Sequence, residues 1–106
     1  MNVVGSGTIT PTVGSTSQLY TSTSQNTYML FVDTTNMVAG DALELSIGIP
    51  YKSGGSAIQT HYSIFAHAQA DPGKTSVPIP APYGATFNLK QTAGTARSFD
   101  WCVVTL

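Results

Sequence analysis

The sequence predicts an all-β fold: a single antiparallel β-sandwich, jelly-roll-like or Ig-like, with no significant helix. Three observations predict it. Apolar and polar residues alternate at period two along several segments. Gly, Pro, Asn and Asp clusters punctuate the chain every ten or so residues. No segment repeats its apolar residues at helical spacing. With 106 residues the chain is one domain with one modest core.

Residues 1–17 are rich in Gly, Ser and Thr, with Val3, Val4, Ile9 and Val13 spaced among them. They are expected to form an extended N-terminal arm ahead of a sandwich domain at 18–106. Two readings of the arm stand side by side: a free terminus, or a strand donated to the sheet edge of a partner. Residues 27–33 are apolar on both faces, with Tyr28, Leu30 and Val32 on one and Met29 and Phe31 on the other. Such a strand is central, or lies at a subunit interface. Residues 34–41 are a connection, with room for one helical turn, ending on Gly40-Asp41.

Residues 42–51 are the cleanest strand. Leu43, Leu45, Ile47, Ile49 and Tyr51 share a core face, and Glu44, Ser46 and Gly48 the other. A loop at 52–56 leads into a return strand at 57–69. Ile58, Thr60, Tyr62, Ile64 and Ala66 are its expected core face, and His61, Ser63, Phe65 and His67 its outer face. After a turn at 71–74, Val77 and Ile79 alternate with prolines, as in a short edge strand. Residues 87–106 are expected to close the fold as a β-hairpin turning at 92–95. Phe99 and Trp101 on its return strand should be mostly buried, with Leu89, Leu43, Leu45 and Ile47. The count is six or seven strands.

Only 8% of residues are charged, against about 25% in average soluble proteins. A surface so poor in charge repels its neighbours weakly, which suits an assembly. Lys52, Lys74, Lys90 and Arg97 are scattered singly, so no basic patch offers itself to phosphates and no nucleic-acid partner is expected. The one cysteine, Cys102, excludes an internal disulfide and reads as a small hydrophobe. The first dozen residues carry neither a basic region nor a long apolar core, so no secretory signal is expected. No apolar run approaches the ~20 residues of a membrane span, and no membrane partner is expected.

A search for chemistry returns little. Asp33, Asp41, Glu44, Asp71 and Asp100 lie near turns or on polar strand faces, with no two placed by sequence to share a site. His61 and His67 share a face but stand about 20 Å apart along one strand, too far for one metal ion. Gly73-Lys74-Thr75 has the last letters of a phosphate-binding loop, but Ala68 stands where its first glycine belongs. No nucleophile elbow is present. The expectation is no enzyme, no cofactor and no metal.

The runs YMLFVDTTNMVAGDALELSI and FNLKQTAGTARSFDWCVVTL resemble a group of small β-rich virion-associated proteins of tailed phages. In that group an aromatic strand ends in an aspartate, a Met and a Gly-Asp turn follow, and the chain closes on a QTAGT-R-F-W hairpin. The matching residues are Asp33, Met37, Gly40, Asp41, Gln91, Thr92, Ala93, Gly94, Thr95, Arg97, Phe99 and Trp101. The resemblance implies a setting and offers no catalytic residue. With the low charge, it leads to the expectation of a bacteriophage structural protein: a small cement or decoration protein on the outer capsid. Its expected partners are the major capsid protein and copies of itself, with a trimer as the leading oligomer. It would be made in the host cytoplasm and end on the virion. The expected interface residues are Val3, Val4, Ile9 and Val13 on the arm, and His61, Phe65 and His67 on the domain. The alternative is a carbohydrate- or receptor-binding module using Tyr20, Tyr28, Tyr51, Tyr62 and Tyr83.

Overall fold

The computed structural model describes residues 1–56, 58–67 and 73–106, with side chains described except at 58–67 and 74. Nine strands run through these residues: β1 Asn2–Ile9, β2 Thr16–Ser22, β3 Asn26–Asp33, β4 Ala42–Ile49, β5 Ile58–His67, β6 Gly73–Thr75, β7 Ile79–Ala81, β8 Ala85–Ala93 and β9 Phe99–Thr105. They pair antiparallel into two sheets. Sheet A has the order β1-β9-β3-β6, with β7 also on β3, and sheet B the order β2-β8-β4-β5. The chain is an all-β sandwich, as the alternation predicts.

The core follows from that alternation. Tyr28, Leu30 and Val32 of β3 and Phe99 and Val103 of β9 are buried from sheet A. Leu43, Leu45, Ile47 and Ile49 of β4 and Phe87 and Leu89 of β8 meet them from sheet B. Phe87 takes the Tyr28 ring edge-on, with centroids 5.8 Å apart, a favoured aromatic geometry. The Tyr28 hydroxyl escapes burial without a partner by donating to Ser24 O at 2.7 Å.

The expected closing hairpin does not form. β8 pairs with β2 and β4 in sheet B, and β9 with β1 and β3 in sheet A. Residues 94–98 cross between the sheets. Gln91 explains why the chain leaves its ladder here. Its fully buried amide donates to Ala93 O and Thr95 O and accepts from Arg97 N–H. The segment therefore folds over its own side chain instead of reversing into a ladder.

The expected arm is also part of the sandwich. β1 pairs with β9 from Asn2↔Thr105 to Ile9↔Phe99, with a bulge between Val3 and Gly5. The 17/18 boundary falls inside β2. Two of the glycines that read as flexibility are places of close approach. A Cβ on Gly5 would stand 2.6 Å from Tyr20 Cδ1, and one on Gly7 3.5 Å from Trp101 Nε1. β1 can lie against aromatic rings because it lacks side chains there.

Smaller differences have similar causes. Trp101 is half-buried, because its neighbour on β1 is Gly7, which has no side chain to cover the ring. Tyr51 is 58% exposed, since Pro50 ends β4 before it. Residues 34–41 contain turns and no helical turn. Gly73 and Lys74, expected in a turn, belong to β6, while Val77 lies outside β7 and is exposed. Between β6 and β7, buried Ser76 takes the place of a strand residue. Its N–H donates to Leu30 O and its hydroxyl accepts from Leu30 N–H, both at 2.9 Å. The expected turn at 71–72 and the ends of the return strand lie outside the described residues.

Candidate interface

Charge is unevenly placed on this sandwich. Register puts Asp33, Asp41, Glu44, Lys90 and Asp100 toward the end where β3 runs into β4 and β8 into β9. Arg97 lies in the second of those crossings. At the opposite end, where both chain termini also lie, described charged side chains are confined to Lys52 in the loop after β4.

The charged end is a lock between the two crossings. Asp41 is 2% exposed. Its carboxylate accepts from Val38 N–H at 2.9 Å, Thr95 N–H at 3.2 Å and Arg97 Nε–H at 3.0 Å. The carboxyl is held below its ordinary value, chiefly by the Val38 N–H, with burial pulling the other way and Arg97 and Thr95 adding to the lowering. Gly94 adopts φ +93°, and a side chain there would collide with this carboxylate. Asn36 Nδ2 donates to Ser98 O at 2.8 Å, a further stitch between the crossings. Most of the residues that carry the phage resemblance are therefore in this corner. Asp41, Gln91, Gly94, Thr95 and Arg97 hold it, Met37 is buried in it, and Phe99 starts the strand that leaves it. Their arrangement is that of a fold-holding device, with its polar groups spent on one another.

On the outer face of sheet A, Cys102 of β9, Phe31 of β3 and Thr75 of β6 lie in one cross-strand row. Asp100, Asp33 and Gly73 lie in the next. Together they line a shallow groove of about 360 Å³. Asp33 and Asp100 stand directly opposite, an arrangement that costs energy unless each carboxylate is satisfied. Asp100 takes a 2.6 Å bond from the Thr8 hydroxyl, and Asp33 accepts from the hydroxyl and N–H of Thr35. The Thr35 hydroxyl, then its N–H, lower the Asp33 carboxyl from its ordinary value. Among the described residues no group of three His, Cys, Asp or Glu is placed to hold a metal ion.

The flank formed by β1 and β2 is of another kind. Each is the outermost strand of its sheet, paired on one side only among the described residues. They are stacked, with the Tyr20 ring of β2 lying on Gly5 of β1. Residues 2–32 contain no Asp, Glu, Lys or Arg. β1 also contains no proline, and Val3 is 63% and Val4 38% exposed. The far edge of sheet A is guarded differently, since Lys74 of β6, Pro80 of β7 and Pro78 in the segment between them lie along it. Charges and prolines are the usual blocks to edge-to-edge pairing, and the β1–β2 flank has neither along its strands.

Of the expected interface residues, Val3 and Val4 lie on this flank. Ile9 is half-buried against the core, opposite Phe99. Val13 is exposed in the turn between β1 and β2. His61, Phe65 and His67 belong to β5, and their side chains lie outside the described residues. β2 was missed, although the charge-free run at 2–32 that marks it was readable. Compared with known proteins, the chain matches no family model, no curated protein and no solved structure.

Proposed function

We propose that this chain is a structural subunit of a tailed-phage virion, a small cement or decoration protein on the outer capsid, with no enzymatic role. The observation that carries the proposal is the β1–β2 flank: two stacked edge strands, exposed apolar side chains and no charge along either strand. In a protein that works alone, such an edge is an aggregation hazard. In an assembly it is a mating surface, because a partner's strand can complete the ladder. The partners are the major capsid protein and further copies of the chain in a symmetric oligomer, a trimer in the leading arrangement. The sequence resemblance to phage virion-associated proteins supports the setting, and the low overall charge agrees with it.

An uncharged contact of this kind has a signature. Its affinity changes little between low and moderate salt, unlike a contact made through ion pairs or phosphates. Mass spectrometry of purified particles from the genome that encodes the chain tests the setting. The chain is expected in fixed ratio to the major shell protein. Particles that form and infect with none of it overturn the proposal.

A further inference from the structure

The tyrosines that read alike in sequence are sorted by the fold. Tyr28 is buried and Tyr20 packs beside Phe87, with centroids 6.3 Å apart. Tyr51 and Tyr83 are exposed, and both lie at the end of the sandwich away from the Asp41 corner. Beside Tyr83 is a groove of about 280 Å³ on sheet B. Thr21 of β2 and Thr86 of β8 stand opposite each other in its lining, their hydroxyls 3.0 Å apart. Tyr83 contributes an aromatic wall, 41% exposed. The β4–β5 loop supplies the other wall through Pro50, Ser53 and the Gly54-Gly55 backbone.

Among the described residues no charged side chain lines this groove, and Lys52 stands outside the lining, its stem beside Gly55. The lining itself therefore gives a phosphate, carboxylate or ammonium ligand no countercharge. What the groove offers is one exposed π-face, hydroxyls that both donate and accept, and glycine backbone. Those match a ring with C–H groups on one face and neutral hydroxyls around its rim. The volume is at the small end for ligand sites and suits one ring rather than an extended chain.

We propose that this groove binds a neutral sugar residue, with Tyr83 stacking on the ring and the Thr21–Thr86 pair and Ser53 hydrogen-bonding its hydroxyls. The site borrows Thr21 and Ser22 from β2, the sheet B half of the flank, but stands whether or not the chain is a virion subunit.

The test is an amide chemical-shift titration of the full chain with glucose, galactose, N-acetylglucosamine, lactose and cellobiose, and with neutral dextran. The first five probes report a free sugar, and dextran alone reports a polymer. At least one probe is expected to shift the amides of Thr21, Ser53, Gly54, Tyr83 and Thr86 saturably, with little dependence on salt. Tyr83→Phe should retain that binding, and Tyr83→Ala should weaken it about tenfold, the loss of one stacking contact. The unmodified chain carries the mapping, so the result does not hang on the variant folding. No saturable shift with any probe, shifts confined to the Phe31–Cys102 groove, or equal affinity in a folded Tyr83→Ala variant would each overturn the proposal.

Discussion

Replacing Gln91 by Leu asks whether the segment carrying the phage resemblance holds the fold or mates with a partner. Leu keeps most of the side-chain volume and removes three hydrogen bonds, to Ala93 O, Thr95 O and Arg97 N–H. Each such bond contributes about 0.5–1.5 kcal/mol net. Ala93 and Thr95 are exposed residues, so water can replace part of what their carbonyls lose. The Gln91 site itself is 0% exposed, so no water reaches the side-chain position. The expected cost is about 2–3 kcal/mol. For a domain of this size that lowers Tm by about 8–20 °C. Urea and thermal unfolding followed by circular dichroism read both numbers. At a temperature where the variant is folded, its affinity for particles should equal that of the natural chain. A stability change under about 0.5 kcal/mol, or normal stability with lost binding, would refute the reasoning and move the motif to the interface.

Three further outcomes follow from the same geometry. Asp41 and Asp33 are held below the ordinary carboxylate value of 3.8. Their contribution to stability should be level above about pH 5 and fall as the pH drops through their folded-state values. Asp41→Asn should flatten that acid limb in urea midpoints measured from pH 7 to pH 2; an unchanged limb would free Asp41 of the role. Gly5→Ala should cost about 1–2 kcal/mol, because the new Cβ meets the Tyr20 ring, and a neutral result in thermal unfolding would show that the two strands are not stacked. Trp101→Ala should cost about 2–3 kcal/mol, below the 3–5 of a fully enclosed aromatic, and acrylamide should quench the native Trp101 emission to an intermediate degree.

Much of the sandwich was legible because its strands are locally consistent. In β4 every second residue is apolar, so the sequence alone separates Leu45 from Glu44; β3 is apolar on both faces, and the structure decides that Leu30 enters the core while Phe31 lies on the outer face. What escaped was pairing, which depends on residues far apart. Residues 87–106 look like a hairpin because two alternating runs flank Gly94. The information that they part company lies in Asp41, more than fifty positions away, and in a Gln91 side chain that turns inward. β1 escaped for a different reason. Its inward positions are Gly5 and Gly7, which leave no apolar alternation to read. Their role is visible only once Tyr20 and Trp101 are seen to occupy the space. The candidate flank was legible in part, through Val3 and Val4. Its other half, β2, was overlooked because an absence of charge over residues 2–32 does not announce itself as a motif.

The most direct test of the flank's role is rebinding to particles stripped of this protein, using three forms of the full chain. The natural chain should rebind to saturation. A Val3→Lys/Ser6→Lys variant places two charges on the edge of β1, at exposed positions where the fold has no use for the original side chains. It should stay folded and lose most of its affinity, while Val77→Lys, at another exposed valine away from the flank, should rebind normally. If the double-lysine variant binds as tightly as the natural chain, the β1–β2 flank is not the mating surface.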